Sequence, residues 1–272
     1  MGIHWYGTFL LARLRADKGD KGDGEDIYIH QLPINNYRLP ITDYRLPITN
    51  SLLTRIYSMH ISDGILPAST CILGYAATGG LTWYSLHQIN QTHNPQENIP
   101  KASLLTAAFF VASWIHIPVP PTSVHLILNG LLGTVLGYYA FPAILIGLFF
   151  QAVFFQHGGL STLGVNAVMM GLPAIFAYHL FQLHYLISKD NRWVIGTFAF
   201  LAGAGGLGMA TLIYVALSIT SIFTGIGAQA QQTAIYGAFL AYIPLMIIEG
   251  WFTAAVVLFL RRVKPELLES KN

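Results

Sequence analysis

The chain of 272 residues carries little charge, with 10% of its residues Asp, Glu, Lys or Arg against 54% hydrophobic and 13% aromatic. A soluble domain usually holds roughly a quarter charged residues, so this scarcity excludes an ordinary water-soluble fold. It indicates a polytopic membrane protein. A single cysteine, Cys71, excludes an intrachain disulfide and any CxxC metal site. Set in an apolar run, it reads as a small buried hydrophobe. There is no GxxxxGK[ST] phosphate loop, so this chain cannot itself couple ATP to any process through that motif. Nor is there an HExxH pair, the usual mark of a zinc hydrolase.

The few charges are unevenly placed. Residues 1–58 hold 7 Lys/Arg and 6 Asp/Glu, and the remaining 214 residues hold only the other 7 and 6. Within the first segment "DKGDKGD" (17–23) repeats every third residue, and LPI(N/T) recurs three times between 31 and 50. Neither unit has the length of a structural repeat, and Pro33, Pro40 and Pro47 forbid a heptad helix. Residues 1–58 are therefore expected to be a disordered extension produced by a mis-assigned start, with a cytosolic tail or targeting region as the alternative. On that reading the functional chain begins at Met59, giving a membrane domain over 59–264 and a tail over 265–272.

From Ile65 onward, apolar runs at 65–88, 103–117, 126–140, 142–156, 166–188, 193–219 and 233–260 predict an all-α bundle of about seven transmembrane helices. The third and fourth are separated at Phe141-Pro142. Seven crossings divide the links into two sets. Lys101, Lys189, Arg192, Arg261, Arg262, Lys264 and Lys271 all fall on one set, and the other has no Lys or Arg. The positive-inside rule then places Met59 outside and the carboxyl end in the cytoplasm of a bacterial-type inner membrane.

Three histidine-bearing segments collect on the uncharged side: Met59-His60, "IHIPVPPTSVHL" (115–126) and "QHGGLSTLGVN" (156–166). Irregular backbone at membrane depth must be covered by protein or line a cavity, and imidazole is a good ligand for nickel, cobalt, copper and zinc. If Met59 is the amino terminus, its amine, the His60 backbone nitrogen and the His60 ring Nδ1 can close two fused chelate rings around one ion. A further imidazole then completes a square of nitrogens, which suits Ni(II) or Cu(II). His125, at the entry to a helix, is the expected fourth ligand, with His116 its competitor. His87, His93, His179 and His184 read as ordinary interfacial or core residues.

"MHISDGIL", "IHIPVPPTSVHLILNGLLGTVLG", "GGLSTLGVNAVMMGLPA" and "PLMIIEG" together resemble the CbiM/NikM family, the substrate-capture components of energy-coupling-factor transporters for cobalt and nickel. The resemblance covers about 59–260. It implies metal ligation by Met59, His60 and His125, a transported Co2+ or Ni2+ and no resident cofactor. It also implies two ATPase subunits, a transmembrane coupling subunit and a small accessory membrane subunit. His157 stands where cobalt-type members often have Asp, which tilts the reading toward nickel and gives His157 a supporting role around the site. Asp63 is expected either to cap the first helix or to orient the site. Asn166 has the same two readings, as a cap or as a donor behind the ligands. Glu249, an acid inside the last span, is a functional candidate or a structural acid bonded to a helix break at Pro244. Two other classes compete: a proton-coupled secondary transporter, for which Glu249 alone would have to serve as relay, and a membrane metallohydrolase, which lacks a general base beyond Asp63.

Overall fold

The computed structural model describes residues 60–92, 94–113, 115–119, 122–220 and 228–268. Met59, His93 and the extension 1–58 lie outside the described residues. The chain runs through helix α1 (Ala68–Asn90), a 3-10 turn, α2 (Ile99–Ala112), strands β1 (His116–Val119) and β2 (Thr122–His125), α3 (Asn129–Leu136), and α4 (Ala140–Phe155). It continues through α5 (Leu163–Gln182), the single turn α6 (His184–Ile187), α7 (Arg192–Thr220) and α8 (Ala228–Val263). The expected all-helical architecture holds except for the hairpin, in which His116 pairs with His125 and Val119 with Thr122. Prolines at 118, 120 and 121 explain this departure. They remove helix donors, so the backbone meets its hydrogen bonds across a short antiparallel ladder.

Among the described residues, four stretches are long and apolar enough to cross a membrane: Asn129–Phe155, Leu163–Ile187, Arg192–Ile219 and Ile235–Val263. The first does not run straight. A helix over its 27 residues would reach about 40 Å. The rings of His125 and His157, just beyond its two ends, nevertheless lie 5.2 Å apart between centroids. The chain therefore reverses at the 3-10 turn Gly137–Tyr139, where Gly137 has φ 59°. The expected break at Phe141-Pro142 thus falls a few residues earlier. Pro142 sits in the first turn of α4, where no intrahelical N–H is required of it. Pro244 likewise lies inside a continuous α8 and makes no break.

The short helix α3 is the centre of the bundle, with all eight residues buried. Three longer helices approach it closely. A Cβ at Gly133 would stand 2.0 Å from the Ala174 carbonyl oxygen of α5, so the two backbones touch only because that position has no side chain. Leu132, Ile144, Met169, Met170 and Leu207 fill the surrounding core at full burial. Outward, the surface is itself apolar: Trp83, Leu104, Phe154, Leu212, Trp251 and Phe259 are all exposed. Water would not tolerate so continuous an apolar exterior, so the molecule is a membrane protein with lipid as its outer solvent. At the opposite end from His125 and His157, Arg261 pairs with Asp190 at 3.3 Å. There the Lys101 ammonium also donates to the Leu267 carbonyl at 2.9 Å, holding the start of the tail against the bundle.

Candidate metal centre

Three imidazoles from distant parts of the sequence meet in one buried place. His60 lies before α1, His125 ends β2, and His157 follows α4. Their ring centroids are 5.0 Å (His60–His125), 4.3 Å (His60–His157) and 5.2 Å (His125–His157) apart. One ring nitrogen from each lies within 4.8 Å of the others. His60 and His125 are 2% and 3% exposed. Burial and the neighbouring His157 and His125 hold the His60 imidazole well below its usual pKa. It therefore stays neutral, with one ring nitrogen's lone pair to offer, as a metal ligand requires. The His125 Nδ1 lies 3.3 Å from the Leu126 carbonyl. Donation there puts the ring's lone pair on Nε2.

The His60 arm is tied down by the loop that follows α4. The Asn166 side-chain oxygen accepts from the Ile61 N–H at 3.0 Å and its amide donates to the Ile61 carbonyl at 3.0 Å. The Thr162 hydroxyl donates to that same carbonyl at 2.6 Å. Asp63 accepts from the backbone of Leu160 (3.3 Å) and Ser161 (2.8 Å) and from the Ser161 hydroxyl (2.5 Å). It therefore does not cap α1, whose N-terminus has no side-chain cap. The Ser161 hydroxyl first, and the backbone donors after it, hold the Asp63 carboxyl below its usual range. Gly159 is indispensable to this clip, because a Cβ there would sit 2.1 Å from Asp63 Oδ1.

Asn166, in the first turn of α5, bonds to backbone beside His60 instead of capping its own helix, whose N-terminus has no side-chain cap. Glu249 is placed elsewhere: its carboxylate accepts from the N–H groups of Ile127 (2.5 Å) and Leu128 (3.1 Å), and not from groups around Pro244. His184 is remote and bonds locally to the Phe181 carbonyl at 2.6 Å. His116 faces His125 across the hairpin in backbone register. Two participants were not foreseen. Thr162 gave no signal in the sequence beyond being a threonine in a loop. Gln151 did: it is the only amide in the apolar run "AILIGLFFQAVFF". It is fully buried, its side chain favours the protonated form of the His60 ring, and its backbone carbonyl accepts from the His157 backbone N–H at 3.2 Å.

The profile of CbiM, a cobalt uptake substrate-specific transmembrane region, matches residues 60–267. A putative metal transport protein of Haemophilus influenzae is 33% identical over 77% of this chain and 97% of its own length. The cobalt transport protein CbiM of Sorangium cellulosum is 30% identical over 78% and 95%. The fused nickel transport protein NikMN of Rhodobacter capsulatus is 32% identical over 79% of this chain, but only 65% of its own length is matched. A crystal structure of a transition metal transporter superposes with a TM-score of 0.64 at 26% identity, over 75% of this chain and 93% of the other. With three-quarters of its length matched by the family profile, and with His60, His125 and His157 gathered in one cluster, this chain belongs to the CbiM family.

Proposed function

We propose that this chain is the metal-capturing membrane component of an ATP-driven energy-coupling-factor importer for Co2+ or Ni2+. The observation that carries the reading is the buried cluster of His60, His125 and His157, with ring nitrogens in mutual reach. Membership of a cobalt-uptake family, and relatives named for cobalt and nickel transport, support the choice of cargo.

In the proposed site the Met59 amine, the His60 backbone nitrogen and the His60 Nδ1 chelate the ion, and His125 closes the square. His157 supplies a further nitrogen within reach. The family match begins at His60, which supports Met59 as the working amino terminus and residues 1–58 as dispensable. The orientation is Met59 outside and the carboxyl end cytoplasmic, in the inner membrane, with about seven passes. The reversal at Gly137–Tyr139 supports it, because α3 and α4 must run in opposite directions for the Lys/Arg-bearing links to share one side. The partners are two ATPase subunits, a transmembrane coupling subunit and a small accessory membrane subunit. A proton relay is not favoured, since Glu249 alone would have to serve it and its Oε1 already accepts from two backbone N–H groups.

The test is Ni(II) and Co(II) titration of purified protein begun at Met59, with metal analysis. One ion per chain is expected, with loss of binding in His60→Ala and His125→Ala and normal binding in His184→Ala. A residue inserted between Met59 and His60 should also abolish binding. So should a residue added before Met59, which replaces the amine by an amide. Tight stoichiometric binding by the extended chain would refute the amine ligand.

A further inference from the structure

His125 has to be held at one end of a loop that has no regular structure of its own. Three residues, Leu126–Leu128, separate the end of β2 from the start of α3. Leu128 has φ 56°, a left-handed conformation that a bulky residue avoids unless its surroundings impose it. The helix α3 is buried along its whole length, so the N–H groups of the residues that lead into it need acceptors from the protein. Glu249 supplies one for the two residues that precede the helix. Its Oε1 accepts from both Ile127 and Leu128, the second and third residues after His125, across 122 and 121 positions of sequence. Glu249 is 1% exposed.

The anchor is itself fixed. A Cβ on Gly203 of α7 would lie 2.8 Å from the Glu249 carbonyl, so α7 and α8 are in backbone contact at this level. The next residue after the link, Asn129, bonds to α7 and α5 through the Gly206 (3.2 Å) and Met170 (3.5 Å) carbonyls. Its side-chain oxygen accepts from the Gly130 N–H at 2.8 Å. The link after His125 is therefore gripped on one side by α8 alone and on the other by α5 and α7.

We propose that Glu249 is the positioning residue for His125: it joins the last helix to the metal site, so that displacement of α8 draws His125 away from His60 and His157. It acts through backbone acceptance and does not touch the ion. This rests on the reading of His125 as a ligand and adds the route by which a membrane partner pressing on α8 would loosen the cargo.

The experiment is Ni(II) titration in detergent of the protein begun at Met59, with the visible absorption spectrum of the bound ion and circular dichroism recorded on each sample. Removing a partner that orients a ligand typically costs about 10- to 100-fold in metal affinity, and Glu249→Ala should show that loss together with a changed spectrum. Glu249→Gln keeps an acceptor oxygen at the same reach and should bind within about threefold of the parent, with its spectrum. If Glu249→Ala fails to fold, Glu249→Asp, which withdraws the carboxylate by one methylene, carries the same expectation of weaker binding and an altered spectrum. Parental affinity and spectrum in a folded Glu249→Ala or Glu249→Asp would overturn the proposal. A Glu249→Gln as weak as Glu249→Ala would overturn it too, because charge and not acceptance would then be the requirement. Failure of the underlying reading is separate: it appears as undiminished binding in His125→Ala.

Discussion

Removing the Asn166 amide should weaken metal binding without unfolding the bundle. Asn166→Ala deletes two hydrogen bonds to Ile61, both at 3.0 Å. The two losses differ in kind. The Ile61 carbonyl keeps the Thr162 hydroxyl at 2.6 Å, so it loses only one of two donors, worth about 0.5–1.5 kcal/mol. The Ile61 N–H is left buried with no replacement, at about 1–3 kcal/mol. The sum, roughly 1.5–4.5 kcal/mol, opposes docking of the segment that carries His60. At 1.36 kcal/mol per decade, metal affinity should fall by about tenfold to at most about two-thousandfold, since metal can engage His60 only when that segment is docked. Thr162→Val removes the single 2.6 Å bond and should cost about tenfold at most. The assay is Ni(II) competition against a chelating dye, with thermal unfolding in parallel. Parental affinity in Asn166→Ala, or a larger loss in Thr162→Val than in Asn166→Ala, would refute the reasoning.

The remaining expectations concern the frame around the site. Gly133→Ala places a methyl where the Ala174 oxygen would be 2.0 Å away; overpacking of this kind costs about 1–3 kcal/mol, read as a lower unfolding temperature, while Gly79→Ala, with open space around it, should be neutral. The Asp63 carboxyl is held below its usual pKa, so its contribution to the clip is complete above the unfolded value near 3.9 and is lost only as pH falls through the lower folded value. Amide exchange at Leu160 and Ser161 should therefore show the same protection factor at pH 7 and pH 5, after correction for intrinsic rates, and protection should drop in Asp63→Asn at both; a fall in protection between pH 7 and pH 5 in the parent would contradict the assigned shift. Single cysteines at positions 123 and 188, in a Cys71→Ala background, should label from opposite sides of the membrane; labelling of both from outside would overturn the proposed orientation.

Much of this protein is written locally. The apolar runs marked the helices to within a few residues, because burial in lipid or core is a property of the run itself. The second run, 103–117, overran its helix, which ends at Ala112 ahead of the hairpin that holds His116 and Ile117; the motifs around His60, His125 and Gly158-Gly159 identified the family. What the sequence could not convey is which distant groups meet. His60, His125 and His157 are brought within 4.8 Å only because α3 and α4 reverse at Gly137 and return the chain to its starting level. Asp63 read equally well as a cap for its own helix, and only packing turned it toward Ser161. Glu249 read as the companion of Pro244, 5 residues away in the chain, yet it serves Ile127, 122 residues away. Local pattern records how each residue partitions between lipid and protein. Which partner satisfies a buried carboxylate or amide depends on the lengths and crossings of whole helices, which no short stretch of sequence contains.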